Sequence, residues 1–277
     1  MKLSKETLEI SGGRKLYLYI VEDDSRTNRM QTKFWSAVSE EWRERSAEME
    51  KWMAPITEAL LSPFHYGGGR MLDIGCGPQS MQIPSTWSVT GCDIAAAMLP
   101  PVVAAADRLP FASRSFDAAV SRCALMLAAD AGRAISEMAR VLRPGGIASF
   151  SVWGAAVENS WDHALLPVLE RRFGLRAPDP RAPHAFRLGN PDEVFALLGG
   201  AGFGGITQRK IAVPFLSELS AQEAVRHLVA FVGPFRTVLS KFADQADAAL
   251  QDAEQALAKV DRMGTAWVWT AVLPLDA

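Results

Sequence analysis

Four short apolar runs limit what this chain can fold into. "RMLDI", "WSVTGCDI", "SFDAAVSRCAL" and "GIASFSVWG" are each strand-sized and rich in Val, Ile, Leu, Phe and Ala. Turn residues or segments of helical pattern separate them, such as Arg133 to Leu142 and Trp161 to Phe173. Unbroken apolar strands that alternate with helices require a parallel sheet covered on both faces. In such sheets ligands gather at the carboxyl ends of the strands. Two of the runs reach that end on an aspartate, Asp73 followed by Gly75 and Gly77, and Asp93.

The flanking segments divide the chain into parts. "TLEISGGRKLYLYIVED" reads as a hairpin turning at Gly12-Gly13. Phe34, Trp35, Val38, Trp42, Met49, Trp52 and Met53 recur at helical spacing, with Pro55 expected to interrupt or restart the helix. Asn190 and Pro191 form a helix start, N-cap then first helical residue. "GITQRKIAVPF" is a strand, Ser220 to Val260 is mostly helical with a break near Gly233-Pro234, and "TAWVWTAVL" is the last strand. The division is then an N-terminal hairpin and helical cap (1–66), a core (67–213 and 265–277), and a helical insertion or lid (214–264).

Composition excludes several classes. The 277 residues carry a net charge of −2, with no basic stripe to suit nucleic acid. No apolar run approaches the roughly 20 residues of a membrane span. The first residues lack a signal-peptide core, and the expectation is a cytoplasmic protein. Three cysteines without CxxC spacing give no disulfide framework. Cys76, Cys92 and Cys123 all sit near strand ends, where packing is the plainer reading and no metal motif matches.

Asp73 favours one cofactor class over another. A dinucleotide loop presents backbone N–H groups to a pyrophosphate, which a carboxylate before the loop would repel. S-adenosylmethionine has no phosphate and carries a sulfonium and an ammonium, so an acid at Asp73 suits it. Asp93 at a second strand end can bond ribose hydroxyls in either class. Asp107, after a third strand, can accept from an adenine amino group.

"MLDIGCGP", "GCDIAAAML", "ADRLPFASRSFDAAVS" and "EMARVLRPGGIASFSVW", in that order, resemble the motifs of class I S-adenosylmethionine-dependent methyltransferases. The branch they most resemble includes the ubiquinone and menaquinone biosynthesis methyltransferases. The resemblance runs from about residue 30 to 277 and implies an α/β, Rossmann-like sheet of seven strands, six parallel and the last antiparallel. It implies Asp73, Gly75 and Gly77 at the methionine part of S-adenosylmethionine, with Cys76, Ile94 and Met98 beside the cofactor. It implies Asp93 at the ribose, Asp107 with Arg108 and Leu109 at the adenine, and Ser121, Arg122 and Cys123 facing the methyl group and substrate. Trp35, Trp42 and Trp153 are the candidates to enclose a small, apolar or planar substrate.

The chain departs from that family in two ways. Gln79 stands where a third loop glycine is usual, and Pro78, Pro84 and Pro100-Pro101 shorten the helices after the first two strands. The three retained acids favour an intact site. The function expected is O- or C-methylation of a small molecule, with no nucleic acid or membrane partner and room for a homodimer. A cofactor-binding sensor or partner-binding module and a non-methylating enzyme of this fold are the alternatives. Arg122 could hold a substrate anion or pair with a neighbouring acid. Of the four histidines, His163 and His227 are the better candidates for a base, though neither is assigned a catalytic role; His65 and His184 fall in loops.

Overall fold

The computed structural model describes residues 3–10, 14–21, 25–78, 81–175, 179–231 and 233–276. Strands β1 (Leu3–Ile10) and β2 (Arg14–Val21) form the expected antiparallel hairpin, whose Gly12-Gly13 turn lies outside the described residues. Helices α1 (Arg26–Glu44) and α2 (Ser46–Leu61) follow. Next come β3 (Gly69–Ile74), β4 (Trp87–Asp93), β5 (Val102–Val103) and β6 (Phe116–Arg122). Helix α3 (Ala131–Val141) leads into β7 (Leu142–Trp153), and α4 (Ser160–Phe173) and α5 (Pro191–Gly200) precede β8 (Gly204–Val213). Helices α6 (Ala221–Phe231), α7 (Gly233–Lys241) and α8 (Ala246–Leu257) intervene before the closing strand β9 (Gly264–Val272).

The sheet order is β1-β2-β5-β4-β3-β6-β7-β9-β8. From β5 to β8 this is the seven-stranded Rossmann-like arrangement. Strands β5, β4, β3, β6 and β7 are parallel, and β9 runs antiparallel to both of its neighbours, β7 and β8. The hairpin pairs onto this core, with Tyr19 and Ile20 of β2 alongside Val102 and Val103 of β5, and lengthens the sheet to nine strands.

Two boundaries differ from the sequence reading. The break between the N-terminal helices falls at Arg45, while Pro55 lies inside α2. The "RPGG" segment, whose proline and two glycines read in sequence as a helix stop and turn, runs within β7 beside a register shift against β6. The Asn190 cap is as read: its side chain accepts from the Asp192 N–H and Pro191 is the first helical residue.

The connections after the first strands carry almost no helix. Among the described residues of 75–86 there is none, and after β4 only a 3-10 turn, Ala96–Met98. Prolines at 78, 84, 100 and 101 remove backbone donors that a helix there would need. Side chains cover the sheet instead. Met81, Ile83 and Trp87 pack against Leu61, Phe64, Met71, Ala118 and Val120. The Trp87 indole donates to the Phe64 carbonyl (3.0 Å) and meets its ring edge-on. The larger core joins α2, through Met49, Trp52, Met53, Ile56 and Leu60, to the sheet, α3 and the α6–α8 insertion.

Candidate functional site

Strand order reverses at β3: β4 and β5 build to one side, and the chain returns to add β6 on the other. The loops leaving β3 and β6 separate at this point and open a cleft beyond the strand ends. Gly75 holds the loops close. Its φ is +69°, and a Cβ there would stand 2.3 Å from the Ala124 Cβ. Gly77 (φ +53°) has open space where its Cβ would be. The Gly75 and Cys76 N–H groups both donate to the Cys92 carbonyl, at 2.8 and 3.0 Å, which fixes the loop to β4.

The cleft has a volume of about 1110 Å3, part of it open to solvent. Asp73, Gly75, Cys76, Gly77, Asp93, Ile94, Met98, Arg122 and Cys123 line its floor, and Trp35 and Trp42 its roof. Eleven of the residues singled out from sequence therefore share one cavity.

Asp73 is 5% exposed, and among the described residues no hydrogen bond ends on its carboxyl. Burial raises its pKa to about 7; the Arg122 guanidinium opposes this, while Asp93 and Glu50 add to it. Asp93 is better provided for. One oxygen accepts from Gly77 N–H (3.0 Å) and the other from Ala95 N–H (2.9 Å). Burial still raises its pKa, with those backbone bonds working against the shift. Asp93 thus ties the glycine loop to the end of β4.

Asp107 is buried beside the cleft-lining Ala104, Ala105 and Ala106. One oxygen accepts from the Asn28 side-chain amide (3.1 Å) and the other from Asp130 N–H (3.2 Å). Leu109 is buried, its N–H donating to Glu137 (2.8 Å), and Arg108 is half-buried; neither lines the cleft. Ser121 is fully buried within β6, and its hydroxyl has no partner among the described residues.

Arg122 is held by an acid. Its guanidinium donates to both oxygens of Glu50 on α2 (2.5 and 2.7 Å) and to the Thr57 hydroxyl (2.7 Å). Burial would lower its pKa, but Glu50 outweighs that and holds it above the usual arginine value. Of the two readings open from sequence, the geometry displays the ion pair. Cys123 takes an αL backbone (φ +53°), costly for a residue with a Cβ. Its N–H donates to the carbonyl and hydroxyl of Ser151, both at 3.1 Å. Burial raises its thiol pKa to about 11, with Ser151 and Arg122 opposing, so it is neutral at pH 7. Among the described residues no group of three His, Cys, Asp or Glu side chains could hold a metal ion.

Trp153 lies apart from the cleft. It is 8% exposed and packs against Phe215 (5.4 Å between ring centres) and Trp161 (6.4 Å), because β7 ends under the insertion. His227 belongs to the same aromatic layer, edge-on to Trp52 at 4.1 Å and to Phe215 at 5.5 Å. Burial lowers its pKa to about 3. His65 is exposed, His184 is half-buried and accepts from Phe186 N–H, and the His163 side chain and all of Gln79 lie outside the described residues.

Sequence reasoning did not single out Asn28, Gln31, Glu50 or Thr57. Asn28 and Gln31 line the cleft from α1, and Glu50 and Thr57 bind Arg122 from α2. The i, i+3, i+7 spacing of Asn28, Gln31 and Trp35 was a readable signal that all three share a helix face.

Residues 72–150 match the family described as a methyltransferase domain. That segment runs from the second half of β3 through most of β7 and contains every strand end that lines the cleft floor. A malonyl-[acyl-carrier protein] O-methyltransferase of Enterobacter lignolyticus is 31% identical over 172 residues, which are 57% of this chain and 63% of that protein. An uncharacterized protein of Mycobacterium tuberculosis is 30% identical over 124 residues, 38% of this chain and 44% of its own length. The chain thus spans less than two thirds of these curated relatives. Among solved structures, the [4+2]-cyclase SpnF superposes with a TM-score of 0.57 at 20% identity, over 91% of this chain and 98% of that one. Phosphoethanolamine N-methyltransferase 2 of Haemonchus contortus, in complex with phosphomonomethylethanolamine and S-adenosylhomocysteine, superposes with a TM-score of 0.54 at 19% identity. It covers 94% of this chain and 62% of the other. At these identities the two superpositions establish the fold.

Proposed function

We propose that this chain is an S-adenosylmethionine-dependent methyltransferase that methylates oxygen or carbon of a small organic molecule. Asp73 carries the reading: a buried carboxyl at the switch point of the sheet, facing a cleft and accepting no hydrogen bond among the described residues. A buried acid in that state gains most from a cationic ligand. Three acids support the reading, two on the cleft wall and one buried behind it. Asp73 would take the ammonium, Asp93 has lone pairs left for ribose hydroxyls, and Asp107, buried behind the cleft wall and bonded to Asn28 and Asp130, would back the adenine end.

When bound, S-adenosylmethionine supplies an electrophilic methyl group. The protein's own work is alignment and exclusion of water, which can supply roughly 7–11 kcal/mol of the barrier. Trp42, Met49, Met53 and Met81 give the rest of the cleft an apolar, polarisable wall. Arg122 is neutralised by Glu50, so this wall favours an uncharged acceptor such as a phenol or quinol over a carboxylate. That preference agrees with the small-molecule branch the sequence resembles. The malonyl-acyl carrier relative makes a carboxylate acceptor the main competitor.

Calorimetry with S-adenosylmethionine and S-adenosylhomocysteine, then labelled methyl transfer to phenols, quinols, carboxylic acids and malonyl-acyl carrier protein, tests the reading. Binding followed by methylation of a neutral acceptor is expected. Absence of binding to folded protein overturns it; binding without transfer to any acceptor moves the assignment to a sensor or to a non-methylating enzyme of this fold.

A further inference from the structure

Helix α1 crosses the roof of the cleft and is tied down at both ends. At its start, Ser25 caps the first turn by accepting from Asn28 N–H (3.3 Å), which sets Asn28 facing inward. Asn28 is 3% exposed and donates through its amide to Asp107 (3.1 Å), itself 7% exposed. In the last turn, the Arg43 guanidinium donates to the carbonyl of Ala97, in the turn after β4. Between the ties, Gln31, Trp35 and Trp42 face the cleft. The Trp35 indole donates to Gln31 (3.1 Å), and its ring meets Trp42 edge-on.

Both anchors sit on connections that would surround the nucleoside, Ala97 after Asp93 and Asp107 after β5. Nothing in the sequence motifs assigns Asn28 a role. We propose that Asn28 is a positioning residue for the cofactor: its bond to Asp107 latches α1 over the nucleoside half of the cleft. The nucleoside then enters and leaves only when this bond opens. The inference rests on the cofactor reading above. The bond is charge-assisted and buried at both ends, and opening it leaves a carboxylate short of a donor. It is the step that sets the rate of release.

The donor and acceptor can be exchanged. Asn28→Asp faces Asp107 with a second carboxylate and opens the latch. Adding Asp107→Asn restores the bond in reverse: the new amide donates outward to residue 28, and its oxygen still accepts from Asp130 N–H. Two measurements read the latch: the release rate of S-adenosylhomocysteine by stopped-flow tryptophan fluorescence, and amide hydrogen exchange of residues 26–44 in the ligand-free protein. Asn28→Asp should speed both by about tenfold. The double variant should bring exchange of residues 26–44 in the ligand-free protein back to within about threefold of the wild type. Asn28→Ala, which adds no charge, should move both in the same direction and guards against misfolding of the charged variant.

Unchanged release and exchange in Asn28→Asp and Asn28→Ala overturn the latch. So does a double variant whose ligand-free exchange is no slower than that of Asn28→Asp. Wild-type protein that binds no S-adenosylhomocysteine fails differently: it removes the cofactor reading, and the latch as a cofactor device falls with it, while exchange still reports whether Asn28 holds α1 down.

Discussion

Asp73 and His227 are both titratable, both nearly inaccessible to water, and both pushed by burial toward their neutral forms, to about 7 and about 3. Their surroundings differ in kind. Asp73 looks into a cleft bordered by Gly75 and Gly77, with Arg122 and Asp93 near enough to shift it. His227 is enclosed edge-on by Trp52 and Phe215 and is not among the residues lining that cleft. A perturbed group marks a functional site only where a ligand can reach it and restore its charge. At Asp73 that condition is met; at His227 the imidazole serves as one more flat ring in the layer joining α2 and α6.

The sharpest way to break the comparison is through the glycine that shapes the cleft. Gly75→Ala puts a methyl group 2.3 Å from the Ala124 Cβ in a left-handed backbone. It should cost about 4 kcal/mol in urea unfolding. Gly77→Ala, with open space around its Cβ, should cost only about 1 kcal/mol. Equal costs would mean that the β3 and β6 loops do not meet as described.

Asp73→Asn should weaken S-adenosylmethionine binding about 100-fold by calorimetry. Stability at pH 8 should not fall, because the substitution removes a charge that folding has to desolvate. In the wild type, binding should tighten by up to about tenfold per pH unit as pH rises toward 7 and then level off, as the ionised form is the one that holds a cation. The Asn variant should lose that dependence. A variant that binds as the wild type does would remove Asp73 from the site.

The enclosed region should affect stability and its pH dependence but not binding. An acid whose folded pKa is raised binds more protons folded than unfolded, so Asp73 makes the ligand-free protein lose stability as pH rises from about 4 to about 7. His227 tilts the curve the other way. Its folded pKa is lowered, so its contribution is complete above the unfolded value of about 6.5 and lost as pH falls toward 3. Going from pH 7 to pH 5 should cost the wild type about 2 kcal/mol through this group. His227→Phe should abolish that loss and leave methyl transfer unchanged. A large fall in turnover would place His227 in the chemistry after all.

What the sequence by itself determined is short-range. The apolar runs became β3, β4, β6 and β7; Asn190 capped α5; the prolines at 78, 84, 100 and 101 left the described residues of the early connections without an α-helix; and Asp73 and Asp93 ended their strands beside the cleft. Each depends on residues within a few positions of one another, where propensity, capping and periodicity act. Only the tertiary structure decided the pairings that give those acids their surroundings. Glu50 meets Arg122 across 72 residues and Asn28 meets Asp107 across 79. Trp153, at a strand end like the cleft residues, went into the core because the α6–α8 insertion folds over the end of β7. The physical reason is common to all three: a side chain's partner is set by which elements pack together, and packing depends on the whole buried surface rather than on any local pattern.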